Sequence, residues 1–131
     1  MGNREWGIGK RVMGRPDFED LELYQLAEKL ANKIWGFVQK WNFFAKATID
    51  KKIVRAADSV CANIAEERGR YNYQDNQRFI KIARGSLYET ISLLSVAYVR
   101  QLLTSEQVAE LKPIIDELPP KLNAYLNFRR H

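Results

Sequence analysis

The stretch that decides the fold is Gln74–Leu103, which reads QDNQRFIKIARGSLYETISLLSVAYVRQLL. Its apolar residues recur every three or four positions, and this spacing predicts a long amphipathic helix. They form two neighbouring stripes: Phe79, Ile82, Ala83, Ser86, Leu93 and Ala97, then Ile80, Leu87, Ile91, Leu94, Tyr98 and Leu102. The two stripes cover an arc of about 180°, whereas the core-facing side of a surface helix needs about 100°. We therefore predict that this helix packs against its own core and also against a second copy of the chain.

Two helices are predicted before this stretch. The first begins near Asp17, at the start of an acidic cluster suited to an N-cap and first turn, and continues to about Trp41. The second has Thr48 as its N-cap, runs to about Arg68 and ends at Gly69. Only short connections separate the predicted helices, which is typical of antiparallel neighbours.

A fourth helix is predicted after the long one. Thr104 and Gln107 have the spacing of a capping box and mark its start. Pro113 predicts a kink, and Pro119 predicts a break before a last helical segment. No segment alternates apolar and polar residues over the length of a strand. The predicted fold is therefore all-α, an antiparallel up-down four-helix bundle.

The chain has the size and composition of one domain. It contains 131 residues, of which 46% are hydrophobic and 28% charged. Residues 1–16 combine glycines and four basic groups and predict a flexible basic arm, followed by a bundle domain over residues 17–131. The single cysteine, Cys61, has no partner for an internal disulfide, and no apolar run is long enough to cross a membrane. We expect a cytoplasmic protein.

The sequence offers little for catalysis or metal binding. Its only histidine is the last residue, His131, and its only cysteine lies on an apolar helical arc, so Cys/His nucleophilic pairs and histidine-based zinc sites are absent. A site made of carboxylates alone, from Glu66, Glu67 or Glu89, remains a minor alternative. We expect no enzyme activity, no metal and no cofactor.

Basic residues are concentrated in the middle of the chain. The net charge is +5, and residues 41–100 hold ten basic against six acidic groups. The candidate phosphate-binding residues are Lys51, Lys52, Arg55, Arg68, Arg70, Arg78, Lys81 and Arg84. They bind nucleic acid in one interpretation, aided by Tyr71 and Tyr73, and form a solvated helical face in the other. Repetition of the patch in an oligomer favours binding through avidity.

A polar stripe on the second helix also has two interpretations. It consists of Arg55, Ser59, Asn63 and Glu66. In the favoured interpretation it is structural, with Glu89 and Ser86 of the third helix as partners for Arg55 and Asn63. In the other, the stripe lines a groove or subunit interface that binds a ligand.

Two segments carry a family resemblance. Ser59–Arg70 reads SVCANIAEERGR and Arg78–Glu89 reads RFIKIARGSLYE, and the start FEDLELY at Phe18–Tyr24 agrees with them. Together they resemble the bacterial four-helix-bundle family encoded in 23S rRNA intervening sequences. The matching motif positions are Asn63, Glu66, Arg70, Arg78, Gly85, Ser86 and Glu89. The family commonly has proline where Cys61 stands and glycine where Glu67 stands.

The resemblance implies a ring of five protomers. It also implies a link to the accessory variability proteins of diversity-generating retroelements, which associate with a reverse transcriptase and bind nucleic acid. Gly85 lies in mid-helix, where glycine costs about 1 kcal/mol, so we expect another helix to approach closely there.

We therefore expect a non-enzymatic, homo-oligomeric accessory protein that binds RNA or DNA, with a reverse transcriptase as a candidate partner. The alternative is a structural or protein–protein scaffold with no nucleic-acid binding. The sequence leaves open RNA against DNA, the subunit count, and the retroelement against the ribosomal-RNA branch.

Overall fold

The computed structural model describes residues 17–68 and 73–128 of the chain. Four long helices account for most of them: α1 (Asp17–Val38), α2 (Lys51–Arg68), α3 (Tyr73–Val99) and α4 (Ser105–Phe128). The described residues contain no strand, so the all-α class with four helices is confirmed. The predicted arm at residues 1–16 and the helix stop at Gly69 lie outside the described residues.

Two ion pairs join α1 to α4. Glu22 lies 3.4 Å from the ammonium group of Lys121, and Lys33 lies 2.8 Å from a carboxylate oxygen of Glu110. The beginning of α1 therefore lies beside the end of α4, and the end of α1 lies beside the beginning of α4.

Hydrogen bonds connect α3 to both of its neighbours. Ser86 Oγ donates to Ser59 Oγ of α2 at 2.8 Å. On the side of α4, Gln77 donates to the Leu126 carbonyl at 3.1 Å. The beginning of α3 therefore lies near the end of α4, with the middle of α3 against the middle of α2.

All four helices supply the hydrophobic core. Leu30 of α1, Ile53 of α2, Leu87 of α3 and Leu118 of α4 are completely buried. Each such side chain contributes about 1.5–3 kcal/mol relative to full exposure. None of the described helices has the length and apolar character needed to cross a bilayer.

The connection between α1 and α2 is more helical than expected. One α-helical turn (Phe43–Ala45) continues into a wider π-helical turn (Lys46–Asp50), which leads directly into α2. Thr48 lies inside this π-helical turn, so its prediction as an N-cap is wrong. α1 itself ends at Val38, three residues before the predicted Trp41, although Trp41 is buried.

The third helix ends four residues earlier than predicted, at Val99 instead of Leu103. Gln101 has a φ of 66°, and the Leu102 N–H donates to the Ala97 carbonyl at 2.8 Å. This is the 6→1 bond of a Schellman motif. The prediction missed it because a glycine is the usual sign of the left-handed residue, and a glutamine occupies that position.

The fourth helix starts as predicted and then departs from the prediction. The Gln107 N–H donates to Thr104 Oγ1 and the Thr104 N–H donates to Gln107 Oε1, both at 3.0 Å, which confirms the capping box. The predicted break near Pro119 is wrong, because α4 is continuous through all three prolines. Leu118 and Leu122, on either side of the proline pair, are completely buried, and their packing offsets the lost backbone bonds.

Candidate nucleic-acid interface

The predicted basic set is distributed over two helices of the protomer. Lys51, Lys52 and Arg55 are exposed on the first turns of α2, whereas the described α3 members lie on the first half of that helix. Ser59 contacts Ser86, and the beginning of α3 lies near the end of α2, so the two helices are antiparallel. Lys51 lies eight residues before Ser59 and Arg78 lies eight residues before Ser86, in opposite directions. At 1.5 Å per residue, these two side chains are about 24 Å apart along the helix axes. We call these residues the α2 group and the α3 group; their nearest members, Arg55 and Arg84, are about 9 Å apart along the same axes.

Lys81, Arg84 and Tyr88 form what we call the α3 strip. Their i, i+3, i+7 spacing puts them on one face of the helix. Arg84 Nη1 donates to Asn123 Oδ1 of α4 at 3.1 Å, which fixes the position of the guanidinium group. Lys81 is exposed and the Tyr88 side chain is 48% exposed. Tyr88 is not among the site residues predicted above, although its position one turn after Arg84 is visible in the sequence.

Arg78 lies at the edge of the α3 group and has two local contacts. Its Nη2 is 3.7 Å from Asp75 Oδ1, and its guanidinium carbon is 4.6 Å from the centroid of the Phe79 ring. An exposed pair of this kind contributes little and is screened by salt, so it leaves Arg78 able to exchange Asp75 for a phosphate.

Arg68 does not belong to an exposed basic surface. Its side chain is only 6% exposed, and the neighbouring Glu67 is completely buried and accepts a 3.0 Å hydrogen bond from the Tyr125 hydroxyl. This burial argues against a phosphate contact at Arg68, and the contact stays a prediction. The core stripe of α2 runs through Val60 and Ile64, and the next positions at helical spacing are Glu67 and Arg68. Arg70 lies outside the described residues.

The polar stripe of α2 makes structural contacts that differ in part from those expected. Asn63 Nδ2 donates to the Ser59 carbonyl at 2.8 Å and to Ser59 Oγ at 3.0 Å, and Ser59 in turn accepts from Ser86. Ser86 thus reaches Asn63 through Ser59 and not directly. In the described part of the chain no ion pair joins Arg55 to Glu89, and both side chains are exposed.

Gly85 is not a point of close helix packing within the protomer. A Cβ atom built there would have no neighbour within 4 Å, so the expectation of a closely approaching helix is wrong for the single chain. Ile82 and Glu89 are exposed on the same face, at i−3 and i+4 from Gly85, and Glu66 of α2 is exposed as well. This face of α3 is adjacent to Ser86, and it borders the α3 strip, because Lys81 and Tyr88 lie at i−4 and i+3 from Gly85.

The α2 group borders a groove of about 520 Å³ between the end of α1 and the beginning of α2. Trp35, Lys51, Arg55 and Asp58 contribute to its walls. Burial raises the pKa of the Asp58 carboxyl above its ordinary value. Asp50 lines the groove as well, so one concave surface holds an aromatic ring, two cations and two carboxylates.

The described residues hold no group of three or more histidine, cysteine, aspartate or glutamate side chains that could bind a metal ion. Burial, with smaller contributions from the charges of Asp58 and Glu28, raises the pKa of the Cys61 thiol to about 11. At neutral pH the sulfur is therefore protonated and is a poor nucleophile.

Comparison with known proteins gives one family. A family model described as "23S rRNA-intervening sequence protein" matches residues 19–124, a span that reaches from the first turn of α1 to the last turns of α4. A comparison with curated proteins finds no significant match.

Proposed function

We propose that this chain, which belongs to the 23S rRNA-intervening sequence protein family, is a non-enzymatic, homo-oligomeric protein that binds RNA or DNA. The observation that carries the proposal is the α3 strip. Two cations and a half-exposed tyrosine lie on one helix face, and this combination suits phosphate contact with stacking on an unpaired base.

The hydrogen bond from Arg84 to Asn123 supports this function. It involves one nitrogen of the guanidinium group, Nη1, and leaves the outward nitrogens able to donate to a phosphate oxygen. Because the side chain is already ordered, binding costs less conformational entropy than at a free arginine.

Self-association is the second part of the proposal. Exposed Ile82, 41% exposed, and the open space at Gly85 lie on one face of α3 and favour the approach of a second copy. We propose an up-down bundle, supported by the ion pairs between α1 and α4, and a ring of five protomers as the family resemblance implies. A ring would repeat both basic groups and turn weak phosphate contacts into useful avidity.

Two further elements complete the proposal. The single cysteine suits a reducing, cytoplasmic setting. A reverse transcriptase of a diversity-generating retroelement is the proposed protein partner if the chain belongs to that branch.

One observation favours the alternative, a protein–protein scaffold. The basic residues extend over two helices, with Lys51 and Arg78 about 24 Å apart along the axes, and Arg78 already has Asp75 beside it, as in an ordinary solvated face. A scaffold would retain its oligomeric state and its protein partner but would bind no oligonucleotide at moderate salt.

The experiment is a charge reversal within the α3 strip. The double variant Lys81→Glu/Arg84→Glu is compared with Lys29→Glu/Lys112→Glu, which makes the same change in net charge at exposed lysines outside the α3 strip. We expect the strip variant to bind RNA more weakly and to lower the slope of log affinity against log salt by about 2. Light scattering should give the same mass for both variants. Unchanged binding by the strip variant would reject the proposal.

A further inference from the structure

The connection between α1 and α2 exposes large aromatic side chains. Phe43 is 86% exposed and Phe44 is 77% exposed, and both lie in the single helical turn that precedes the π-helical turn. Trp35, on the last turns of α1, is 55% exposed and lines the groove. Folding normally buries such rings, because each carries a large apolar surface. Three exposed rings at one end of the protein therefore indicate a surface that binds something.

Cations surround these rings. Lys40 precedes them in the chain, and Lys51, Lys52 and Arg55 follow them on α2, all with exposed side chains. Phe44 and Lys51 are separated by seven residues of helical turns, about 10 Å along the axis. In the described part of the chain no carboxylate forms an ion pair with any of these four cations.

We propose that this surface, formed by Trp35, Phe43, Phe44 and the α2 group, binds unpaired nucleotides of a single-stranded nucleic acid. The aromatic rings stack on the bases, and Lys51 and Arg55 contact the phosphates of the same strand. The inference rests on the proposed function. It gives a role to the α2 group, which is not part of the α3 strip, in binding unpaired rather than duplex nucleic acid.

The groove adds a feature that suits a base. The carboxylates of Asp50 and Asp58 line the same groove as Trp35, Lys51 and Arg55, and a carboxylate accepts hydrogen bonds from the exocyclic amino groups of bases. Its volume of about 520 Å³ is in the range of sites for small ligands. A duplex cannot present its bases to this surface, because they are already stacked and paired.

Charge argues against the two other occupants of an aromatic surface. In a two-fold contact with a second copy, as opposed to the heterologous contacts of a ring, Lys51 and Lys52 of one protomer would approach the same cations of the other. An anionic membrane would attract the lysines but would have to desolvate the Asp58 carboxylate beside Trp35. A single strand offers phosphates for the cations, base faces for the rings and amino groups for the two carboxylates.

The test measures fluorescence anisotropy with three labelled probes: an unstructured single-stranded RNA, the same sequence as DNA, and an RNA duplex of equal length. The variants are Phe43→Ala/Phe44→Ala, whose rings are too exposed to matter for folding, and separately Trp35→Ala. Tyr98→Ala removes an aromatic ring of similar exposure to Trp35 outside the groove and is the matched control. We expect the phenylalanine variant to bind single strands about tenfold more weakly, with its duplex affinity unchanged.

Other outcomes overturn the inference in distinguishable ways. If Phe43→Ala/Phe44→Ala binds single strands like the unsubstituted protein, while Lys81→Glu/Arg84→Glu does not, the inference fails and the proposed function remains. If the phenylalanine variant changes the mass measured by light scattering, or loses binding to vesicles of phosphatidylserine and phosphatidylcholine while single-strand affinity is unchanged, the surface serves a second copy or a membrane. If the unsubstituted protein binds none of the three probes, both proposals are wrong.

Discussion

The Tyr125 hydroxyl of α4 donates a 3.0 Å hydrogen bond to Oε1 of Glu67 at the end of α2, and both side chains are buried. This contact ties together two helices that are not consecutive in the chain. A buried carboxylate that loses a donor keeps its desolvation cost, so the bond matters more for what its loss would leave behind than for its own strength.

Replacing Tyr125 by phenylalanine should therefore lower the free energy of unfolding by about 1–3 kcal/mol. Phenylalanine keeps the aromatic ring and its packing, so the loss of stability measures the contribution of the hydroxyl group. Urea denaturation with an unchanged m-value gives the measurement. Tyr88→Phe, at an exposed tyrosine, is the control and should change stability by less than about 0.5 kcal/mol. Equal effects of the two substitutions would mean that the Glu67 contact contributes nothing.

Gln101→Gly should stabilise the protein. Gln101 has a φ of 66°, in the left-handed region where a side chain costs about 1–2 kcal/mol and glycine costs little. Glycine also gains conformational freedom in the unfolded state, which offsets part of the benefit. We expect a net gain of about 0.5–1 kcal/mol in urea denaturation. The same substitution at Arg100, the exposed residue before it, should bring no gain, and a loss at position 101 would contradict the assignment of the Schellman motif.

The ends of the helices and the prolines of α4 show which parts of the fold could be predicted from the sequence. The helices and the capping box follow from local patterns: apolar spacing, and the pair Thr104 and Gln107. The end of α3 and the continuity of α4 through Pro119 depend on interactions that leave no local signal. A glutamine in the left-handed region and a proline pair held by buried leucines can only be recognised once the helices are packed.

The residues of the candidate site could be named from the sequence, but their positions relative to one another could not. Lys81 is exposed and Arg84 is half-buried, whereas Arg68 follows the core stripe through Ile64, a spacing that the basic charge obscured. The separation of the α2 group from the α3 group follows from the contact between Ser59 and Ser86. This register between two helices is a tertiary property, and the sequence does not state it.

Cys61 should react slowly with iodoacetamide in the folded protein. With its pKa raised to about 11, the thiolate fraction at pH 8 is about a hundredfold lower than for a thiol of pKa 9.0. The greater nucleophilicity of a more basic thiolate offsets about tenfold of this, so alkylation should be about tenfold slower than in the urea-unfolded protein. Mass spectrometry of quenched samples measures both rates. Equal rates would show that the thiol is not protected.

The same pKa predicts how stability depends on pH. Folding favours the neutral thiol, so the unfolded state begins to lose its proton near pH 9, before the folded state does. The contribution of Cys61 to stability is therefore full below about pH 9 and is lost as the pH rises towards 11. Cys61→Ala should weaken the decline in stability over this interval, and urea midpoints at several pH values test it. An identical decline in the variant would assign it to other groups.

Substitutions at Gly85 test both the stability of the protomer and its self-association. No atom lies within 4 Å of a Cβ built there, so Gly85→Ala should stabilise the isolated protomer by about 0.5–1 kcal/mol through helix propensity alone. Gly36→Ala, on α1, has the same open space and should give a similar gain.

If α3 forms the contact between copies, a large side chain should have different effects on the assembly at Gly85 and at Gly36. Gly85→Trp should then reduce the mass measured by light scattering to that of a protomer with an unchanged helical circular dichroism signal, because the ring occupies the space into which the second copy packs. Gly36→Trp should leave the assembly intact. A close-packed interface that excludes water cannot accommodate an added indole ring. An unchanged mass for Gly85→Trp would therefore place the contact on another face of the protein and reject Ile82 and Gly85 as its centre.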